Sequence, residues 1–531
     1  MMRVLAFAVA VCAVPLCGSA SATDGGPLVP SFEDVSASLP GPPHVYDGGW
    51  EHFVGGGVAV FDCNGDSRAD FAAAGGINPA RLFVNRSAPG AIAFDDGVPL
   101  PVPTGVTGVW PLDVDSDGAV DLAVTRVGAN ALLRGRGDCT FEDASDAWHF
   151  PRGEAWSTAF SATFEPGATW PTLAIGNYVD RADPNGPFEA CDDNMLVRPA
   201  TDSDGDGFGA PVALSPGFCA LSILFSDWRR EGRADLRLSN DRHYYVRGGS
   251  EQMLAMPGLR LLDKDDGWDR ISIWGMGIAS EDLTGDGLPE VVLTSMGDQL
   301  MMIAGPDGYH AAPYEIGSYA QRPFFGDDGR PSTGWHAAFA DVNNDGLSDL
   351  FIAKGNVDQM PTNAMADPNN LLLQTEDGHF VEAADRAGVA TTERSRGAAL
   401  ADFDGDGALD LVVVNRRAPL ELYRNAGVPG GFLAMGLRQG GANGFAIGSF
   451  VEAEVGGRLL TREVTVGGGH GGGSLGPVHF GLGSASEAEV RVVWPDGVTS
   501  PWQPLPAGAS VTLVRGEGGS FSVEPAGAPP Q

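Results

Sequence analysis

The stretch Asp402 to Leu411, D-F-D-G-D-G-A-L-D-L, sets Asp402, Asp404, Asp406 and Asp410 at positions 1, 3, 5 and 9 of one short loop. Four carboxylates this close repel one another, by roughly 1 kcal/mol per pair at 4 Å in water and more where water is excluded. A hard dication with six to eight oxygen ligands at about 2.3–2.6 Å removes that conflict, and calcium suits a flexible loop better than magnesium. Gly407 at position 6 permits the sharp turn such a loop needs. An EF-hand would require Glu at position 12, but Val413 stands there inside Leu-Val-Val-Val, which reads as a buried strand. The stretch is therefore expected to be a calcium loop that feeds a β-strand.

The loop recurs. Asp62, Asn64, Asp66 and Asp70 form one copy, with Cys63 and Ser67 at positions 2 and 6. Asp113, Asp115, Asp117 and Asp121 form a second, Asp282, Thr284, Asp286 and Glu290 a substituted one, and Asp341, Asn343, Asp345 and Asp349 another good one. Between them are two degenerate copies. Near Phe164 to Leu173 the apolar frame survives without its acids, and Asp227 to Leu236 keeps positions 1, 5 and 9 but carries Arg229 at position 3. Seven copies at the spacing of one four-stranded blade predict an all-β, seven-bladed β-propeller, with a β-solenoid or independent calcium modules as the alternatives. Ring closure leaves only short, protected sheet edges. Between the degenerate copies an insertion over about 178–218 repeats the acid spacing at Asp202, Asp204 and Asp206, but Ala210 occupies position 9. That loop reads equally as a carbonyl-assisted calcium site or as a plain polar turn.

The 531-residue chain, with 76 Gly, 38 Pro and a formal charge of −36, suits many short strands and argues against nucleic acid, whose phosphates need a basic surface. Arg3 followed by the apolar run Val4 to Leu16 and by Ala20-Ser21-Ala22 reads as a signal peptide over 1–22, so a secreted, periplasmic or extracellular product is expected. The run is too short for a membrane anchor, no later stretch is long enough to span a bilayer, and Pro15-Leu16 ahead of Cys17 does not fit a lipoprotein signal. Cys63, Cys139, Cys191 and Cys219 remain. Two disulfides are expected in an oxidising compartment, and of the three pairings Cys63–Cys139 with Cys191–Cys219 is preferred because each links neighbouring repeats.

These repeats, over about Val54 to Asn425, resemble FG-GAP/VCBS-type repeats. The later run, with G-F-A-I-G, V-H-F-G-L-G and V-R-V-V-W-P-D-G, is similar to the ASPIC/UnbV domain, and the pair in this order resembles the cartilage acidic protein-like family. The resemblance implies a calcium-binding extracellular propeller with a small C-terminal β-domain, and no assigned chemistry for the bacterial members. Domains are accordingly expected as a propeller over 23–428, an ASPIC/UnbV-like β-domain over 429–516 and a disordered tail over 517–531.

Signals for catalysis are few. The nine histidines include no H-E-x-x-H, and no G-x-S-x-G elbow or G-x-x-x-x-G-K-[ST] loop is present. His470, in G-G-G-H-G-G-G, reads as part of a flexible loop. Trp156, Trp274, Trp335, His336 and Arg396 each precede an acid loop by about five to eight residues, so they are expected at one mouth of the central channel. There they would either bind a sugar or anionic ligand or pack the blades. The expected function is a calcium-binding adhesion module that holds about five calcium ions and takes an extracellular glycan or protein. The alternatives are a channel-mouth enzyme with His336 or His149 as base, and a structural surface component.

Overall fold

The structure, a computed structural model, describes residues 26–201, 207–241, 247–297, 299–319, 330–428 and 430–527. Its elements follow the acid loops. In every copy a short run of small and apolar residues forms one strand, the loop turns the chain, and position 9 opens the next strand. The pairs are Val58–Phe61 with Asp70–Ala73, Val106–Leu112 with Asp121–Arg126, Ser157–Thr163 with Thr172–Asn177, Ala220–Ser226 with Asp235–Asn240, Gly275–Glu281 with Glu290–Ser295, Gly334–Ala340 with Asp349–Lys354, and Ser395–Ala401 with Asp410–Asn415. Two further strands complete each antiparallel sheet, so that seven four-stranded meanders are found over this part of the chain among the described residues. The first strands of successive sheets pack on one another, and Ser395–Ala401 packs on Val58–Phe61, which closes the ring.

The last sheet lacks a fourth strand of its own. Phe32–Asp34 supplies it, with Phe32 opposite Asn425, so the two ends of the propeller are held in one sheet. Six of the seven inner strands also carry a register shift near their first residues, such as that between Gly334 and Ala337. A bulge there bends the strand and re-aims its side chains. That is why Trp335, His336 and Arg396 turn toward the same region.

Residues beyond 430 form a second unit of two four-stranded sheets. One is ordered Val478–Gly483, Gly431–Gln439, Ala509–Arg515, Phe521–Pro525, and the other Arg458–Glu463, Phe450–Val455, Glu487–Val493, Gln503–Pro506. Leu433, Met435, Val451, Phe480, Val492 and Leu513 fill the space between them. The tail expected to be disordered from 517 onward instead includes the edge strand Phe521–Pro525, because alternate residues Phe521 and Val523 pack against this core. The leader over 1–22 and the Asp202, Asp204, Asp206 loop lie outside the described residues.

The preferred cysteine pairing is present. Cys63–Cys139 joins the first two blades and Cys191–Cys219 the third and fourth. With sequence separations of 76 and 28, the chain-entropy estimate is about 4.5 and 3.6 kcal/mol. Replacing Cys63 and Cys139 by Ser is therefore expected to lower the denaturation midpoint more than replacing Cys191 and Cys219, as urea unfolding would measure.

Candidate metal loops and the filled channel

In each good loop the backbone organises the acids before any cation is considered. The position-1 carboxylate accepts loop N–H groups. Asp402 takes Gly405 N at 2.7 Å and Gly407 N at 2.9 Å, and Asp62 takes Gly65 N and Ser67 N, both at 2.8 Å. The position-9 carboxylate ties position 2 to the next strand. Asp410 accepts Phe403 N at 2.9 Å and Asn425 N at 2.8 Å, and Asp121 accepts Val114 N at 2.7 Å and Gly135 N at 2.8 Å. Asp70, Glu290 and Asp349 do the same in their own blades. In the fourth blade Asp227 accepts Glu231 N and Gly232 N, while Asp235 accepts Met256 N. Positions 1 and 9 thus persist there as turn clamps, although position 3 is Arg229. The third blade closes its turn differently, with Glu165 accepting Thr172 Oγ1 at 2.9 Å and Arg198 Nε at 2.6 Å.

Positions 3 and 5 behave otherwise. In the second loop Arg134 binds Asp115 at 2.9 Å and Asp117 at 2.8 Å, and in the seventh Arg424 binds Asp404 and Asp406, each at 2.7 Å. Each arginine occupies the outer carboxylate oxygens. Asp113 Oδ1 and Asp115 Oδ1 are then buried without a hydrogen-bond partner. One oxygen each of Asp113, Asp115 and Asp121 lies within 4.8 Å of the others, as it does for Asp402, Asp404 and Asp410. Burial, followed by neighbouring carboxylates, pushes Asp113 and Asp402 up to about 6 and Asp410 up to about 8. In the second loop the buried Asp113 and Asp115 oxygens that face no donor, gathered with Asp121, are the donor set a hard dication takes. The grouping of Cys63, Asp70 and Cys139 is a disulfide beside a carboxylate. Asn64, Thr284 and Asn343 offer neutral oxygens at position 3 of the other loops. Arg134 and Arg424 were not singled out from sequence. Their shared place near the end of the third strand, 13 and 14 residues after position 9, was the available signal.

The second unit sits on the acid-loop end of the ring. Glu463 accepts Asp227 N at 2.7 Å and Ser226 Oγ at 2.6 Å, Arg230 binds Glu452 at 2.6 Å, and Gly483 N donates to Asn344 O at 2.9 Å. From it the segment Val466 to Leu475 enters the channel. Its backbone bonds five inner strands in turn: Val466 O takes Ala162 N at 3.2 Å, Gly468 N gives to Ile223 O at 2.7 Å, Gly469 N to Ile278 O at 2.6 Å, Gly471 O takes Val109 N at 3.0 Å, and Gly473 O takes Val60 N at 3.2 Å. Ser474–Leu475 then pairs in parallel with the first inner strand. The sixth blade is reached through His470 N, which donates to His336 Nδ1 at 3.0 Å. The glycine run expected to be a flexible loop is thus a plug. Only glycine fits, because a Cβ on Gly57 would overlap the Gly471 carbonyl and one on Gly472 the Val58 carbonyl.

The opposite end is covered by the chain just before the first inner strand. Arg396 Nε donates to Phe53 O at 2.9 Å, and Gly55 N meets His470 Nε2 at 3.1 Å, so cover and plug touch inside the ring. Trp156, Trp335 and Arg396 are completely buried there, His336 nearly so, and Trp274 packs partly buried beside them. The structure brings these five residues to one end of the ring but not to an open mouth. Arg396 lies 4.0 Å over the Trp335 ring, and Trp335 Nε1 donates to Gly355 O at 2.8 Å. This is the blade-packing alternative. His149 is exposed in an outer turn of the second blade, away from this cluster.

Burial lowers His336 to about 4 and His470 to about 3, with the Arg396 guanidinium adding to the effect at His470. The unfolded chain therefore takes up these protons first. Stability is full above the ordinary histidine value near 6.5 and falls below it, by roughly 1.4 kcal/mol per pH unit for each ring. His470→Asn is expected to flatten this acid limb in a melting-temperature series across pH 4–7.

Residues 341–413 match the FG-GAP-like repeat. Residues 439–520 match the ASPIC and UnbV model. The FG-GAP-like match runs from position 1 of the sixth acid loop to position 12 of the seventh, so it spans two acid-loop turns of the ring. No curated protein matches the sequence. Among solved structures, the chain is similar to BBS1N in complex with ARL6DN, at 8% identity and TM-score 0.45, over 75% of this chain and 98% of that one. It is also similar to a lectin from Agrocybe aegerita that recognises non-reducing terminal N-acetylglucosamine, at 15% identity and TM-score 0.38, over 69% and 93% of the two chains. A mutant of AofleA from Arthrobotrys oligospora is similar at 13% identity and TM-score 0.37, over 68% and 90%. All three TM-scores are below 0.5, and the fold assignment rests on the sheet order. No helix among the described residues is long and apolar enough to cross a membrane.

Proposed function

We propose that the chain is a secreted, calcium-stabilised propeller that acts as a non-enzymatic binding module. The observation that carries the reading is the set of buried, unpartnered oxygens of Asp113 and Asp115 converging with Asp121. The residues that would hold calcium are Asp62, Asn64, Asp66 and Asp70; Asp113, Asp115, Asp117 and Asp121; Asp282, Thr284, Asp286 and Glu290; Asp341, Asn343, Asp345 and Asp349; and Asp402, Asp404, Asp406 and Asp410. Calcium would neutralise each loop and hold its turn, leaving the outer surfaces of the ring for a glycan or protein ligand. Two disulfides suit an oxidising compartment. Titration of chelator-stripped protein by calorimetry is expected to give near five calcium ions per chain. One ion or none would leave the loops as hydrogen-bonded turns and end this reading.

A further inference from the structure

The end of the ring that faces away from the acid loops carries a local cluster of arginines. Arg394, Arg416 and Arg417 converge on a single carboxylate, Asp358, at 3.9, 3.6 and 2.8 Å, and Arg396 is buried just beneath. Asp47 neutralises part of this charge through Arg417 Nε at 3.1 Å. Four guanidinium groups thus meet two carboxylates, on a chain whose formal charge is −36. Arg416 is held rigidly, with Nε on His52 O at 3.1 Å and Nη2 on Gly48 O at 3.1 Å and Gly49 O at 3.2 Å. Its Nη1 is buried and makes no hydrogen bond, although the whole side chain is only 1% exposed. Burial and the adjacent Arg417 hold this guanidinium below its ordinary value, a cost that an arriving anion would relieve.

The covering turn Trp50–His52 adds a second element. Trp50 is 49% exposed, with its ring edge-on to Trp156 at 5.0 Å, and it follows directly on Gly49, whose carbonyl Arg416 holds. An exposed indole carried on the same covering turn whose Gly48 and Gly49 carbonyls Arg416 and Arg417 hold suits a sugar ring that carries an anionic group. The indole takes the apolar face of the ring, and the guanidiniums take the carboxylate or sulfate in paired hydrogen bonds. The acid loops do not oppose such a ligand. They lie at the far end of seven-residue inner strands, about 20 Å away, well beyond the Debye length of about 8 Å at physiological ionic strength.

We infer that Arg394 and Arg417, backed by the buried Arg416, form with Trp50 a binding site for an acidic polysaccharide. This rests on the binding-module reading and assigns its ligand class. An acidic peptide would use the arginines without needing the indole.

The test is titration of the full chain in calcium with three size-matched oligosaccharides, namely hyaluronan (carboxylate), heparin (sulfate) and neutral dextran, together with polyglutamate. At least one acidic sugar is expected to bind, weakening as salt rises, while dextran does not. The Arg394→Glu, Arg417→Glu double variant is expected to lose at least tenfold in affinity, and Trp50→Ala to lose a similar factor, both with calcium stoichiometry unchanged. Binding to neither acidic sugar, unchanged binding by a folded variant, equal binding of dextran, or polyglutamate binding as tight as the sugars would each overturn the proposal. Calcium stoichiometry is read separately, so failure of the calcium reading is distinguishable from failure of this site.

Discussion

In excess EDTA the melting temperature is expected to fall sharply, and refilling with calcium, but not with magnesium, is expected to restore it. A site held at 100 times its dissociation constant stabilises the folded chain by about 2.7 kcal/mol. Five such sites contribute on the order of 10 kcal/mol, which is comparable with the whole stability of an ordinary domain. The effect should be large because the cation and the fold act on the same atoms. Asp121 and Asp410 already clamp each loop to the next strand through two backbone N–H groups, and their loops gather further carboxylates around them. Without a cation, that gathering costs repulsion and desolvation in the folded state alone. Scanning calorimetry with calcium, magnesium and EDTA measures the effect directly, and an unchanged midpoint in EDTA would contradict it.

The second large effect is steric. Gly57→Val is expected to destabilise the chain by more than ~3 kcal/mol, beyond the usual range for overpacking, because the obstruction is backbone rather than a side chain that can swing away. The new Cβ would meet the Gly471 carbonyl, which already accepts Val109 N. The plug would have to leave, and with it the bonds to five inner strands and the contact between His470 and His336. Gly472→Val should act in the same way from the other side, through the Val58 carbonyl. Protease cleavage between residues 464 and 477 should appear in both variants and not in the parent. A substitution at Gly137, where nothing crowds the Cβ position and no acid loop is involved, tests only left-handed backbone strain and should leave the plug in place.

Much of the ring was legible because its information is local. Six of the seven copies carry position-1 and position-9 clamps around a turn, and all seven carry the apolar strand that follows, within about a dozen residues. Seven such strand–turn–strand units at blade spacing left little freedom in how they could assemble. The cysteine pairing was readable for the same reason, since neighbouring repeats are neighbouring blades. The edge strand Phe521–Pro525 was missed because its Gly- and Pro-rich flanks look like a tail, and only the parallel pairing of Gly431–Gln439 with Ala509–Arg515 creates an edge for it.

The run Gly467 to Gly473 carries no hydrophobic pattern, so nothing local distinguishes a loose loop from a strand laid inside a ring. The difference arises from partners as far as 415 residues away, as between Gly55 and His470. Trp335, His336 and Arg396 share one end of the ring because they share a repeat position, yet their burial follows from that plug and from the cover near Phe53. The amino-acid order by itself determined the seven hairpins and their candidate metal ligands, because spacing along a short loop sets which oxygens can converge. Only the tertiary structure decided that the channel is filled and that the exposed chemistry at that end belongs to Trp50, Arg394 and Arg417. Burial depends on what packs from elsewhere in the chain, and no local pattern records it.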